Sequence, residues 1–235
     1  MRMNHDLSKL GYKTVREKNL TLIYKLSVPQ LRESALTERA LGEPSPFKGR
    51  SRLHIIPPDM VVRPLMHGGL FRHLTGRLFL SSARTIRELK VSRYLTINGV
   101  PTPEILAVRL IRKGLFYSID VVSRLVPDSM DLMTCLETPR TDVSEILMKA
   151  GTLVRKIHDL GIYHADLHIK NLLMDSAGNL WVLDLDKARL YATLPGFMKR
   201  LNIGRFMRSM KKWERKGRIH LPNDWQRCFM TGYLG

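Results

Sequence analysis

Cysteine is scarce in this chain, and its scarcity excludes two classes of small protein. Cys135 and Cys228 are its two thiols; they make neither a metal-ligand pair nor a disulfide framework, which predicts a reducing compartment or simple buried thiols, with cytoplasm as the default. Long apolar runs are missing as well. No stretch approaches the roughly 18 uninterrupted apolar residues of a membrane span, and Met1-Arg2-Met3-Asn4-His5-Asp6 lacks the apolar core of a signal peptide. Internal repeats and low-complexity tracts are absent. Acidic residues are few beside basic ones, 21 against 39, which leaves a formal net charge of +18. Such a surface seeks anions, and nucleic acid, an anionic membrane face and a phosphorylated substrate all fit the charge alone.

The 235 residues, 44% of them hydrophobic, suffice for one or two compact domains with proper cores. Gly42-Glu43-Pro44-Ser45-Pro46 closes a polar leader, expected to be helical, to which no role attaches. Leu53-His54-Ile55-Ile56 and Met60-Val61-Val62-Arg63, separated by Pro57-Pro58-Asp59, predict a hairpin. From Ala83 to Ile97 the residues Ile86, Leu89, Tyr94 and Leu95 recur at helical spacing, and Asn98-Gly99 followed by Pro101 supplies a stop. Strands are expected at Ile105 to Val108 and Leu115 to Val122, before a connector that carries Pro127 and Pro139. Thr141 can cap a helix whose apolar residues, Val143, Ile146, Leu147, Ala150, Leu153, Val154, Ile157 and Leu160, repeat at three and four until Gly161. A polar loop, Tyr163 to Asn171, follows, and then Leu172-Leu173-Met174, a turn over Asp175 to Asn179, and Leu180-Trp181-Val182-Leu183.

That loop contains His164-Ala165-Asp166-Leu167-His168-Ile169-Lys170-Asn171, and thirteen positions after the asparagine Asp184 ends an apolar strand. The arrangement resembles the protein-kinase catalytic loop, H-R-D-L-x-x-x-N, followed by a D-F-G element written here as Asp184-Leu185-Asp186. A lone H-x-D would mean little, but the Asp, the Asn five residues on, a two-strand spacer and the second Asp occur here in order. Phosphoryl transfer needs an aligned hydroxyl and metal ions that neutralise the β- and γ-phosphates. The resemblance implies that Asp166 orients and deprotonates the acceptor hydroxyl, that Asn171 and Asp184 hold Mg²⁺, and that His164 braces the loop.

A kinase also needs a phosphate-covering loop, a strand cation and a helix glutamate. Phe47-Lys48-Gly49-Arg50-Ser51-Arg52 offers a single glycine with cations around it, so Gly49 and Arg50 are the candidates for the nucleotide phosphates. Arg63 stands where a strand lysine belongs, and Glu88, early in the next helix, is its candidate partner.

As a set these residues resemble the lipopolysaccharide-core kinases, and among them the 3-deoxy-D-manno-octulosonic acid (Kdo) kinases. Carrying the likeness are Gly49-Arg50-Ser51, Val62-Arg63 with Gly68-Gly69-Leu70, Asn98 to Pro103, His164 to His168, Leu183 to Asp186, and the run Leu201 to Ser209. The resemblance implies an α+β, two-lobed protein-kinase-like fold: a leader over 1–44, a small β-rich lobe over 45–126 and a reduced helical lobe over 127–235. It implies ATP and Mg²⁺, and phosphorylation of a Kdo hydroxyl on a lipid A precursor by a peripheral protein at the cytoplasmic face of the inner membrane. The expected partners are an anionic glycolipid and an anionic membrane surface; nucleic acid is not expected among them.

Two features agree with a non-protein substrate. Only 51 residues follow Asp184 and none spells Ala-Pro-Glu, which leaves little room for a peptide-docking lobe. Between Pro195 and Gly217, Lys199, Arg200, Arg205, Arg208, Lys211, Lys212, Arg215 and Lys216 alternate with Phe197, Leu201, Ile203, Phe206, Met207, Met210 and Trp213. On a helix that pattern suits an anionic membrane, or an apolar stripe packed on the core. The rival readings are a heptose kinase, a small atypical protein kinase, the kinase partner of a tRNA-modifying assembly, and a degenerate kinase fold that serves as a basic binding module.

Overall fold

The computed structural model, which describes residues 7–29, 31, 43–44, 54–56, 58–66, 78–140 and 142–235, pairs the described strands of the first half of the chain antiparallel. The chain divides into two units, Met1–Arg93 with Glu104–Leu125 and Tyr94–Pro103 with Val126–Gly235. Unit 1 contains β1 (Tyr12–Glu17), β2 (Leu20–Lys25), β3 (Glu43–Pro44), β4 (His54–Ile56), β5 (Met60–Pro64), β6 (Leu78–Phe79), most of α1 (Ala83–Ile97), β7 (Ile105–Lys113) and β8 (Phe116–Arg124). These strands form one antiparallel sheet in the order β1-β2-β7-β8-β5-β4-β3, with β6 also on β8.

Where a helical leader was expected, Tyr12 to Lys25 form the β1–β2 hairpin, and β2 pairs with β7 so that Ile23 faces Val108. Tyr12, Thr14, Val15, Leu22, Ile23 and Tyr24 are strand-forming residues. The two-residue turn hides the hairpin, because Lys18 takes a positive φ of 44° where Gly, Asn or Asp would have announced it. The 54–56 and 60–64 strands pair as expected, with Ile55 opposite Val61. Leu53, Pro57, Gly49, Arg50, Gly68 to Leu70 and Thr141 lie outside the described residues.

Both faces of the sheet are covered, which explains why Ile105 to Leu110 are buried without alternation. One face packs Ile23, Val108, Ile119 and Val121 against Ile86 and Leu89 of α1. The other packs Leu22, Tyr24, Met60, Val62 and Val122 against Val28 and Leu31. Inside the sheet Arg109 donates to Asp120 through Nε and Nη2, at 3.0 and 2.8 Å.

Helix α1 stops where its sequence says it should. Gly99 is left-handed, with a φ of 70°, and the amides of Val100 and Gly99 donate back to the carbonyls of Leu95 and Thr96. This is the C-terminal motif for which glycine is favoured.

Unit 2 adds β9 (Met130–Asp131), α2 (Leu132–Glu137), α3 (Val143–Asp159), β10 (Ile162–Tyr163), β11 (Leu172–Met174), β12 (Leu180–Val182), β13 (Arg189–Leu190), α4 (Gly196–Arg215) and α5 (Trp225–Leu234). The expected apolar residues of α3 are buried, from Val143 to Ile157, and pack against α5. The two helices touch through their backbones: a methyl group on Gly151 would lie 2.1 Å from Phe229 O, and one on Gly232 would lie 1.9 Å from Met148 O. Helix α4 adds Phe206, stacked on Phe229 at 4.9 Å between centroids. Sheet in unit 1 and helices in unit 2 give the α+β fold of a protein-kinase-like chain.

Candidate active site

In unit 2 the loop after β10 makes a turn, a short 3-10 stretch at Ile169–Asn171, and then the β11–β12 hairpin. Pro101 O accepts from the Val182 amide at 2.9 Å, and Thr102 Oγ1 donates to Val182 O at 2.9 Å. The Asn98 to Pro103 segment thus clamps the strand that delivers Asp184.

His164 is fully buried and joins the two halves of the motif. Its Nδ1 accepts from the Asp166 amide at 3.3 Å, and its Nε2 lies 2.8 Å from Leu183 O. A carbonyl can only accept, so the proton sits on Nε2. Burial pushes the imidazole pKa down, against smaller opposing effects that include the bond to Leu183 and the nearby Asp184 and Asp166, so the ring stays neutral and braces the loop. Asn171 donates from Nδ2 to Asp166 O at 2.9 Å, and its own carbonyl accepts from the Leu183 amide at 2.8 Å. Those contacts leave the Asn171 side-chain oxygen as the atom that can meet a cation. Asp184 has φ 57° and ψ 60°, an unusual backbone for a residue other than glycine, of the kind that clusters at functional sites.

Among the described residues no three His, Cys, Asp or Glu side chains group as a metal site. Magnesium bound with substrate phosphates needs only one or two protein oxygens. The carboxylate of Asp184 and the amide oxygen of Asn171 fit that donor set.

In unit 1, Arg63 and Glu88 are joined as an ion pair, the glutamate buried and the arginine half-buried. The phosphate-loop candidates Gly49 and Arg50 are among the residues not described.

Sequence reasoning missed the part played by α4. Asn202, completely buried, grips the loop at His164: its Nδ2 donates to His164 O at 2.9 Å and its Oδ1 accepts from the His164 amide at 3.1 Å. The same Oδ1 lies 3.2 Å from His158 Nε2, and His158 Nδ1 lies 2.9 Å from the Tyr233 hydroxyl. Amide oxygen and hydroxyl together fix Nε2 as the donor, with Tyr233 donating to Nδ1. Burial lowers the His158 pKa to about 4 despite its bond to Asn202.

Farther along α4, Arg205 Nη1 stands 3.8 Å from Asp166 Oδ1, Ser209 Oγ accepts from the Ile169 amide at 3.1 Å, and Lys170 Nζ lies over the Trp213 ring at 4.7 Å. Residues 202, 205, 209 and 213 share one face of a helix, within an arc of about 80°, and meet loop positions 164, 166, 169 and 170 in order. The available signal was a polar Asn202 in line with buried Phe206 and Met210.

That face also sorts the residues of the basic helix. Phe197 and Leu201 are half exposed, because each lies more than about 90° around the helix from Asn202. Arg205, grouped by sequence with surface cations, also stands beside Asp166, as does Lys187, whose Nζ is 3.8 Å from Asp166 Oδ2.

The profile of the lipopolysaccharide kinase (Kdo/WaaP) family matches residues 52–233. Three similar proteins bear the name 3-deoxy-D-manno-octulosonic acid kinase. The one from Vibrio vulnificus (strain YJ016) is 31% identical over 192 residues, which cover 79% of this chain and 80% of the relative. The one from Vibrio parahaemolyticus is 32% identical and covers 78% of each chain. The Haemophilus influenzae Rd protein is 29% identical, covering 74% of this chain and 76% of its own. With the His164–Asn171 loop and Asp184 inside the matched region, this chain belongs to the lipopolysaccharide kinase (Kdo/WaaP) family, a family of phosphotransferases.

Proposed function

We propose that the protein transfers the γ-phosphoryl group of ATP to a hydroxyl of Kdo on a lipid A precursor, at the cytoplasmic face of the inner membrane. The observation that carries this reading is the coupling of Asp166 to the Asp184 strand through the buried His164 ring. In this role Asp166 orients the acceptor hydroxyl and takes its proton as the new phosphate ester bond forms. Asn171 and Asp184 hold Mg²⁺, which neutralises charge on the β- and γ-phosphates when bound. Arg63, oriented by Glu88, and the Gly49 and Arg50 residues serve the nucleotide phosphates. Arginine can do so bidentately although it is not equivalent to lysine.

The acceptor lipid is anionic, and α4 suits such a surface. Phe197, Leu201, Arg208, Lys212 and Arg215 fall within an arc of about 60° on its exposed side, and half-exposed aromatic and aliphatic side chains beside cations favour an anionic interface. Among the described residues no helix is long and apolar enough to cross a membrane, which leaves peripheral contact to this stripe. Flotation with anionic vesicles tests it: Arg208→Gln with Lys212→Gln should weaken binding as added salt does, and unchanged binding would discard the membrane role.

The deciding experiment is transfer of labelled γ-phosphate from ATP to a Kdo-bearing lipid A precursor, with a Kdo-free lipid and Asp166→Asn as controls. Label that requires Kdo, Mg²⁺ and Asp166 is expected, with Asp166→Asn slower by about 10²- to 10⁴-fold. Equal label on the Kdo-free lipid would overturn the substrate, and full activity of the variant would overturn the site.

A further inference from the structure

Asp166 is approached from both sides by cations that do not hydrogen-bond to it. Arg205 Nη1 lies 3.8 Å from Oδ1 and Lys187 Nζ lies 3.8 Å from Oδ2, beyond the 2.7–3.2 Å of a charge-assisted bond. The Arg205 side chain is 43% exposed and that of Lys187 53%, so both cations are open to a ligand, and a guanidinium group can take a planar anion through two of its nitrogens. Asp166 lies near its Nη1 alone.

We propose that Arg205 and Lys187 form a receptor for the carboxylate of the acceptor sugar, so that binding of the sugar acid presents its hydroxyl to Asp166. The inference rests on the acceptor reading above and deepens it. Kdo is a sugar acid, and its carboxylate stays ionised when the sugar is joined to lipid. Such a group could not approach Asp166 unaided, because two like charges at close range repel. Two cations placed on the flanks of Asp166 remove that repulsion, and they do so beside the residue assigned to the acceptor hydroxyl rather than at the metal-binding pair. A neutral heptose offers nothing for them to bind, so the pair selects a sugar acid over a neutral sugar. The other anion in the reaction, the transferred phosphate, is the alternative occupant.

The test is a two-by-two comparison of kcat/KM: wild type and Arg205→Gln, each with the Kdo-lipid acceptor and with its carboxyl methyl ester. A charge-assisted pair of this kind corresponds to about 10- to 100-fold. Wild type should lose that factor on going from acid to ester, through the acceptor KM. Arg205→Gln should lose it with the acid and lose little more with the ester. Lys187→Gln should repeat the pattern more weakly, and Arg205→Lys should recover part of the loss. Thermal melting, unchanged in the variants, separates a lost contact from a lost fold. The proposal is overturned if wild type uses the ester as well as the acid, if Arg205→Gln loses equally on both acceptors, or if the KM that rises is that for ATP. Wild type that labels no Kdo acceptor would overturn the acceptor reading and this inference with it, a result distinct from the others because in them the wild type is active.

Discussion

Unit 1 buries charged side chains in ion pairs, Arg109 with Asp120 and Glu88 with a half-buried Arg63, whereas unit 2 buries neutral Tyr233, His158 and Asn202 in a chain of hydrogen bonds that ends on His164. The difference follows from what each must do. A buried ion pair fixes geometry but leaves a stranded charge when either partner is lost. A neutral network positions a backbone without adding a field. Around Asp166, the carboxylate proposed to act on the acceptor, the second device has an advantage: the loop is held by uncharged groups, and the local charge is left to Lys187 and Arg205.

The largest effect expected from breaking this contrast lies in unit 1. Asp120→Ala removes the carboxylate that takes two hydrogen bonds from Arg109 inside the sheet and should cost about 3–5 kcal/mol, read as a lowered denaturation midpoint; a change within error would mean that the ion pair is incidental. Next is the backbone contact of α3 with α5. Gly232→Ala places a methyl group against Met148 O, and overpacking of this kind costs about 1–3 kcal/mol or more. An unchanged melting temperature would contradict the close approach.

Acid should separate the two kinds of interior. His158 has a folded pKa of about 4 against 6.5 for the free side chain, so the unfolded chain binds more protons between those values. Its contribution is therefore complete above about pH 6.5 and is lost as pH falls toward 4. The linkage amounts to about 2 kcal/mol between pH 7 and pH 5. The burial-lowered pKa of His164 acts in the same direction. Urea titrations at the two pH values measure the loss, and His158→Gln should flatten it; a pH-independent midpoint would argue that the ring is not buried neutral. The smallest effect is the sharpest on mechanism. Asn202→Ala frees the carbonyl and amide of His164 and should lower kcat about tenfold by loosening the Asp166 loop, with little change in the KM for ATP. If it leaves kcat intact and only destabilises, α4 supports the fold and not the site.

Much of this was legible from local pattern. The helix at 143–159 is amphipathic enough to be read from its apolar spacing, and Asn98-Gly99 marked the end of α1 correctly because a left-handed glycine closes a helix whatever surrounds it. The β11–β12 hairpin and the order of His164, Asp166, Asn171 and Asp184 were equally plain, since short-range spacing carries them. The first hairpin was not legible: Lys18 and Asn19 carry a weak turn signal, and β2 is stabilised by pairing with β7, more than eighty positions away.

The sequence by itself determined the repeating apolar faces, the turns and the ordered His164, Asp166, Asn171 and Asp184 motif, because each depends on neighbours a few residues apart. Only the tertiary structure decided that Asn202, Arg205, Ser209 and Trp213 line the loop from His164 to Lys170 while Phe197 and Leu201 face outward. An amphipathic helix with polar residues on more than one side can be rotated to bury either side. Which side wins is set by partners distant in sequence, here the stacking of Phe206 on Phe229 and the two hydrogen bonds that Asn202 makes with His164.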